Sequence, residues 1–154
     1  MGTKAKRKGK RETRKENRDL TLRDYRLLAE FRYLLAGFLA FSEAAAGEAG
    51  LAPRQHQALL AIKGYPGGGE VSVGDLAERL GIRHHSAVGL VDRLVASGYL
   101  RRHADPDDRR RMFLALTDRG EQTLAGLSAA HREELRRLSP LLKPLLARLA
   151  SRHP

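Results

Sequence analysis

The 154 residues include no cysteine. That excludes a disulfide framework, a zinc ribbon and a thiol-based peroxide sensor. Long apolar runs are also lacking. The longest, Leu34 to Phe41, falls far short of the ~20 residues that a bilayer-spanning helix needs. No secretory h-region follows the basic start, because Glu12, Glu16 and Asp19 interrupt it. Gly67-Gly68-Gly69 is no phosphate loop, since no Lys-Ser/Thr follows and no strand-to-helix setting surrounds it. No internal repeat is visible. The expected compartment is the cytoplasm, with no membrane contact.

What the chain has in excess is positive charge, +11 formally with a pI near 10.7. Such a balance suggests a polyanionic partner. Nine Lys or Arg against two Glu fall in residues 1–18. This stretch lacks apolar periodicity, so disorder is expected. It reads either as an arm adding salt-sensitive phosphate contacts or as a plain solvated tail, and by itself it selects no base sequence.

The informative stretch runs from Ser72 to Leu116. Ser72 and Asp75 have capping-box spacing, and Val73, Leu76, Ala77 and Leu80 then repeat as one buried helical face. Gly81 supplies a left-handed stop and a short turn. In the helix that follows, Ala87, Leu90, Val91 and Leu94 share one face. His85, Gly89, Asp92 and Ala96 lie opposite, with Ser86, Val88 and Arg93 on the flanks. A glycine on that outer face costs about 1 kcal/mol, which makes sense if something large must come close. A helix of this shape fits the DNA major groove. Gly98 ends it, with Tyr99 packing back on Leu94. Tyr99–His103 and Met112–Leu116 then read as strands joined by Asp105-Pro106-Asp107-Asp108 turn chemistry, with Arg109, Arg110 and Arg111 at the tip. An arginine there suits a narrow minor groove.

Outside this stretch, Thr21 with Asp24 forms a second capping box, and Leu20 with Tyr25 has staple spacing. The helix they open should reach about Ala46. Its apolar positions (among them Leu27, Leu28, Phe31, Leu34 and Leu35) cover too wide an arc for burial within one small domain, so a dimer interface is the preferred reading. Pro53 sits at a helix N1 position, and Glu70-Val71 offers a short third strand. Thr117 caps a helix from Asp118 to about Leu138, whose buried side is marked by Leu124, Leu127, His131, Leu135 and Leu138. Pro140 should begin a separate last segment, with Pro144 keeping its first turn short or kinked.

No enzyme is expected. His84, His85 and Ser86 are successive helical positions, each turned about 100° from the last, so they do not converge into a triad. A metal-responsive regulator of the same fold stays open as an alternative, drawing on His56, His84, His85, His103 and His131. No pair of these has the i, i+4 spacing of a preformed site, and the reading taken forward has no metal and no cofactor. A sequence-nonspecific basic DNA-binding protein is the other alternative.

The segments LAERLGIRHHSAVGLVDRL, SGYLRR, DPDDRR and LTDRG resemble the MarR family of bacterial transcriptional regulators. The DPxDRR wing followed closely by LTxxG is the specific part, and the resemblance covers roughly residues 20 to 150. It implies a mainly α fold with a small β-hairpin wing, a winged helix-turn-helix flanked by N- and C-terminal dimerisation helices. The implied division is a basic tail (1–18), a dimerisation helix (19–50), a DNA-binding domain (51–117) and C-terminal dimerisation helices (118–154). It also implies a homodimer on a palindromic double-stranded operator, usually released by a small aromatic or anionic effector, and most often acting as a repressor. The groove helix carries over to His84–Ser97 and the wing to Arg101–Arg111. The expected DNA-facing set is therefore Arg83, His84, His85, Ser86, Val88, Gly89, Arg93, Arg101, Arg109, Arg110 and Arg111, with Asp108 orienting Arg110. His85, Ser86 and Val88 are the base-contact candidates, Arg93 the phosphate contact, and Arg109 or Arg110 the minor-groove arginine. The effector pocket would involve Tyr25, Arg32 and the region of His56. Family members often place Ser or Asp where this chain has Arg83, a poor N-cap.

Overall fold

The computed structural model describes residues 20–151. The expectation for the basic stretch 1–18 lies outside them. In chain order the elements are α1 (Leu22–Glu48), α2 (Pro53–Lys63), a 3-10 turn (Pro66–Gly68), α3 (Val73–Leu80), α4 (His84–Ala96), β1 (Leu100–Ala104), β2 (Met112–Leu116) and α5 (Asp118–Ala150). They fall into two compact units. One is the described part of Met1–Phe38 and Leu135–Pro154, and the other is Leu39–Glu134.

Capping residues set most of the boundaries in the larger unit. Ser72 Oγ accepts the Asp75 amide at 3.2 Å, while the Ser72 amide donates to Asp75 Oδ2 at 2.8 Å, a reciprocal box that opens α3. Gly81 stops α3 with φ 63° and ψ 36°. The Ile82 amide reaches back to the Ala77 carbonyl at 3.0 Å, which closes the turn as a Schellman motif. Gly98 does the same after α4 at φ 74°, with the Tyr99 amide on the Leu94 carbonyl at 2.9 Å. At α2 the N-cap is Ala52, which has no side-chain acceptor. Half a box survives, with Gln55 Oε1 accepting the Ala52 amide at 2.8 Å and Pro53 at N1.

The β1–β2 hairpin pairs antiparallel, Leu100 opposite Leu116 through Ala104 opposite Met112. The expected third strand is a single bridge, Val71 to Leu114, with the Leu114 amide donating to the Val71 carbonyl at 2.8 Å. Under it lies the core of the unit. Leu59 and Ile62 of α2, Leu76 of α3, Leu90, Val91 and Leu94 of α4, Leu100 and Leu114 of the hairpin, and Leu124 and Leu127 of α5 are all buried there.

In the smaller unit Leu27 and Leu34 of α1 pack with Leu138 and Leu145 of α5, joined by Phe31, Phe38, Leu142 and Leu149. Three expectations fail in this unit. Pro140 does not start a new segment, because α5 runs unbroken through Pro140 and Pro144. Each proline removes one helical hydrogen bond and crowds the preceding turn. Both rings lie on the exposed side, where water reaches the opened turns, while Leu138, Leu142, Leu145 and Leu149 hold the other side against α1. Leu135, expected to be buried, is 44% exposed, and the half-buried position beside it is Glu134. The staple pair Leu20 and Tyr25 is likewise exposed rather than packed.

Candidate nucleic-acid interface

α4 presents an outer face made by the residues its core side leaves over. With Ala87, Leu90, Val91 and Leu94 buried, Arg83, His84, His85, Ser86, Asp92 and Arg93 are exposed, and Val88 and Gly89 are half-buried. Arg83 is the N-cap and contributes no side-chain hydrogen bond there. The first-turn amides of α4 therefore have no side-chain acceptor from the cap, and no cap side chain offsets the positive end of the helix dipole. Arg93 folds back along the helix, its Nη1 3.6 Å from where a Cβ at Gly89 would stand.

The wing is built by its own carboxylates. Asp105 Oδ1 accepts the Asp107 amide at 2.8 Å and the Asp108 amide at 3.3 Å, an Asx turn that starts the loop. Asp108 Oδ1 then accepts both the amide and the Nε of Arg110, each at 3.1 Å. The hydrogen bonds from Arg110, side chain first and backbone second, hold the Asp108 carboxyl below the usual carboxylate range. The Arg110 side chain is nonetheless 91% exposed, so its direction is fixed while its guanidinium stays available. Arg111 behaves differently. It pairs with Asp105 at 3.6 Å and lies over the Phe113 ring at 5.3 Å, which ties it to the hairpin. Arg101 and Arg109 are exposed.

Four contacts had no signal in local sequence. Arg102 of β1 reaches Asp92 of α4, Nη2 to Oδ1 at 2.6 Å. Gly120 sits against the backbone just past α4, where a Cβ would fall 2.2 Å from the Tyr99 carbonyl oxygen. Arg119 closes the end of α4, donating to the Ser97 carbonyl at 2.7 Å and stacking on Tyr99 at 4.4 Å. His56 and His131 meet with ring centroids 4.8 Å apart. His131 also bonds Ser42 Oγ at 2.7 Å and the Leu127 carbonyl at 2.5 Å. Burial first, and the His131 charge second, lower the His56 pKa below its ordinary value. Of the residues expected near an effector, Tyr25 and Arg32 belong to the smaller unit and are exposed, and His56 belongs to the larger unit and is buried.

Residues 49–111 match the sequence profile of the MarR family. This stretch, less than half of the chain, is similar to MarR-family proteins. An HTH-type transcriptional regulator of Bacillus subtilis, YfiV, is 34% identical over 76 residues, which is 49% of this chain and 48% of that protein. The chain thus spans about half the length of the curated relatives it matches. The transcriptional regulator Tm0710 of Thermotoga maritima superposes with a TM-score of 0.59 at 28% identity, over 73% of this chain and 77% of its own. The MepR–DNA complex of S. aureus superposes with a TM-score of 0.60 over 72% of this chain and 80% of its own. At 18% identity that likeness establishes the fold alone. The matched MarR segment runs from the end of α1 to Arg111, so it takes in α4 and the turn that carries Arg110. MarR proteins are transcriptional regulators, not enzymes. Among the described residues no helix is long and apolar enough by itself to cross a membrane, and no three His, Asp or Glu side chains come together as a metal site.

Proposed function

We propose that the chain is a sequence-specific regulator of transcription that binds double-stranded DNA as a homodimer on a palindromic operator. The observation that carries this reading is the pairing of α4's exposed, small-residue face with a wing whose Arg110 is aimed by Asp108 and otherwise open to solvent. An arginine whose direction is set in advance loses less freedom when it pairs with a base edge or enters a groove. In this reading His85, Ser86 and Val88 meet base edges, Gly89 allows close approach, and Arg83, His84, Arg93, Arg101 and Arg109 serve the phosphates. Arg110 enters the minor groove beside each half-site. Arg111 acts from the wing's frame, given its ties to Asp105 and Phe113.

The apolar surface supports the dimer. In the smaller unit Leu22, Tyr25, Leu28, Tyr33, Leu35, Leu141 and Leu146 are each 42 to 74% exposed. A lone chain rarely leaves so many large side chains in water on one pair of helices. A second copy is the occupant that fits, and two recognition helices then set half-sites about one helical turn, ~10 bp, apart. Repression, and release by a small aromatic or anionic effector that favours wrongly spaced helices, complete the reading.

Selection of bound duplexes from a random DNA pool tests it. The expected result is an enriched palindrome, bound by a species of twice the chain mass. An unenriched pool, with binding that simply decays with salt, is the outcome of a nonspecific basic binder and overturns the proposal.

A further inference from the structure

We infer that Arg102 is a positioning residue, which through Asp92 latches the wing to the recognition helix and so fixes where Arg110 stands relative to α4. The inference rests on the DNA-binding reading for its consequence, though not for its geometry. The hairpin has only two strands and one outside bridge, and a two-stranded ribbon is marginal by itself. Its base is held by Leu100 and Leu114 in the core. Arg102 is two residues beyond Leu100 and opposite Leu114, on the same face of the ribbon, about 7 Å nearer the tip at ~3.4 Å per residue. There its guanidinium meets Asp92 at 2.6 Å, with the arginine side chain 31% and the aspartate 57% exposed. At that level β2 is already held by Leu114 in the core and by the Val71 bridge, and the contact gives β1 a tie of its own to α4.

The location of Asp92 gives the idea a sign that simple electrostatics does not share. Asp92 lies on the exposed face of α4, in line with His85 and Gly89. A carboxylate facing a polyanion repels it, so deleting the charge should by that argument tighten DNA binding. If Asp92 acts as the anchor for Arg102, deleting it loosens the wing and weakens binding.

The experiment compares the parent chain with D92A, R102A and the double variant, using a duplex selected by the parent. Each variant is read by duplex affinity, by minor-groove protection of the flanks, and by amide hydrogen exchange of the hairpin without DNA. The expected result is a loss of about fivefold in affinity for each single variant, with the double no worse than either. Flank protection should fade while the half-site preference persists, and the hairpin amides should exchange faster. Tighter binding by D92A overturns the inference. So does a loss confined to R102A, which would make Arg102 a direct phosphate contact, and so does unchanged hairpin exchange. A parent chain that selects no duplex refutes the DNA reading instead, and hairpin exchange then decides whether the latch exists.

Discussion

Gly120→Ala tests how the recognition helix is joined to the long helix that follows the wing. An ideal Cβ at position 120 falls 2.2 Å from the Tyr99 carbonyl oxygen, 3.2 Å from its carbon and 3.4 Å from Leu116 Cβ. An ordinary carbon–oxygen contact needs about 1 Å more than the first of these distances. The Tyr99 oxygen is not free to retreat, because it accepts the Thr117 amide at 3.0 Å. Thr117 in turn donates its hydroxyl to the Gly98 carbonyl at 2.6 Å and accepts the Gly120 amide at 3.1 Å. The added methyl therefore either separates α5 from the end of α4 or breaks this junction. Overpacking costs about 1–3 kcal/mol, and a hydrogen bond lost with it about 1 kcal/mol. The better helix propensity of alanine returns about 1 kcal/mol. The net is a destabilisation of about 2 kcal/mol, which for a chain of this size lowers Tm by roughly 4–8 °C. Gly126→Ala is the internal control. It changes the same residue type on the same helix, where a Cβ meets nothing within 4 Å, and it should stabilise by up to about 1 kcal/mol. Urea and thermal unfolding of both variants give the answer. Opposite signs support the junction, and a Gly120→Ala protein as stable as its parent refutes it.

In the wing, Arg110→Ala should weaken binding to a selected duplex by about 1–3 kcal/mol, with lost preference beside each half-site. Arg111→Ala should act instead by loosening the hairpin, seen as faster amide exchange in β2. Equal and purely electrostatic losses for both would contradict the different roles that Asp108 and Asp105 assign them. Ser72→Ala removes the α3 cap and should cost about 1 kcal/mol in urea unfolding, so an unchanged midpoint would argue against the reciprocal box. The buried His56 makes stability depend on pH. Its folded pKa lies below the ordinary 6.5, so the unfolded chain takes up the proton first. The stability it contributes is present above about pH 6.5 and is lost as pH falls through the depressed folded value. Tm should fall with acidification over that window, and His56→Gln should flatten the slope. Parallel slopes for the two proteins would remove His56 from the account.

Most of the fold was legible because its punctuation is local. Ser72 and Asp75, Gly81, Pro53, Gly98 and Thr117 each act within one turn of the residue they cap. The structure places every one of those helix starts and stops where its own short motif implies. The prolines of α5 mark the limit of that logic. Pro140 and Pro144 are local signals to break a helix, and they are overruled by packing: Leu138, Leu142, Leu145 and Leu149 hold a stripe against Leu27 and Leu34, residues about a hundred positions away. Leu135 was misjudged for the same reason, since periodicity names a face but not what lies against it.

The candidate interface divides along the same line, and the division bears on what each arginine does. Asp108 and Arg110 are two residues apart, so one turn of chain fixes their geometry and the motif alone exposes it. Arg102 and Asp92 belong to different elements, and pairing them requires both the hairpin register and the rotation of α4 about its axis. The core sets both: Leu100 and Leu114 on the hairpin, and Leu90 and Leu94 on the helix. Seen from the sequence, Asp92 is an acid misplaced on a face proposed to meet DNA, and Arg102 is one more basic residue in a basic strand. Their ion pair removes both oddities at once. It also means that the wing's aim depends on buried leucines that never approach the duplex. Shortening Leu94 to alanine should therefore cost more than its ~2–5 kcal/mol of stability. At temperatures where the variant is still folded, flank protection by Arg110 should fall before half-site recognition does, because the wing is the farther of the two from the core that orients them.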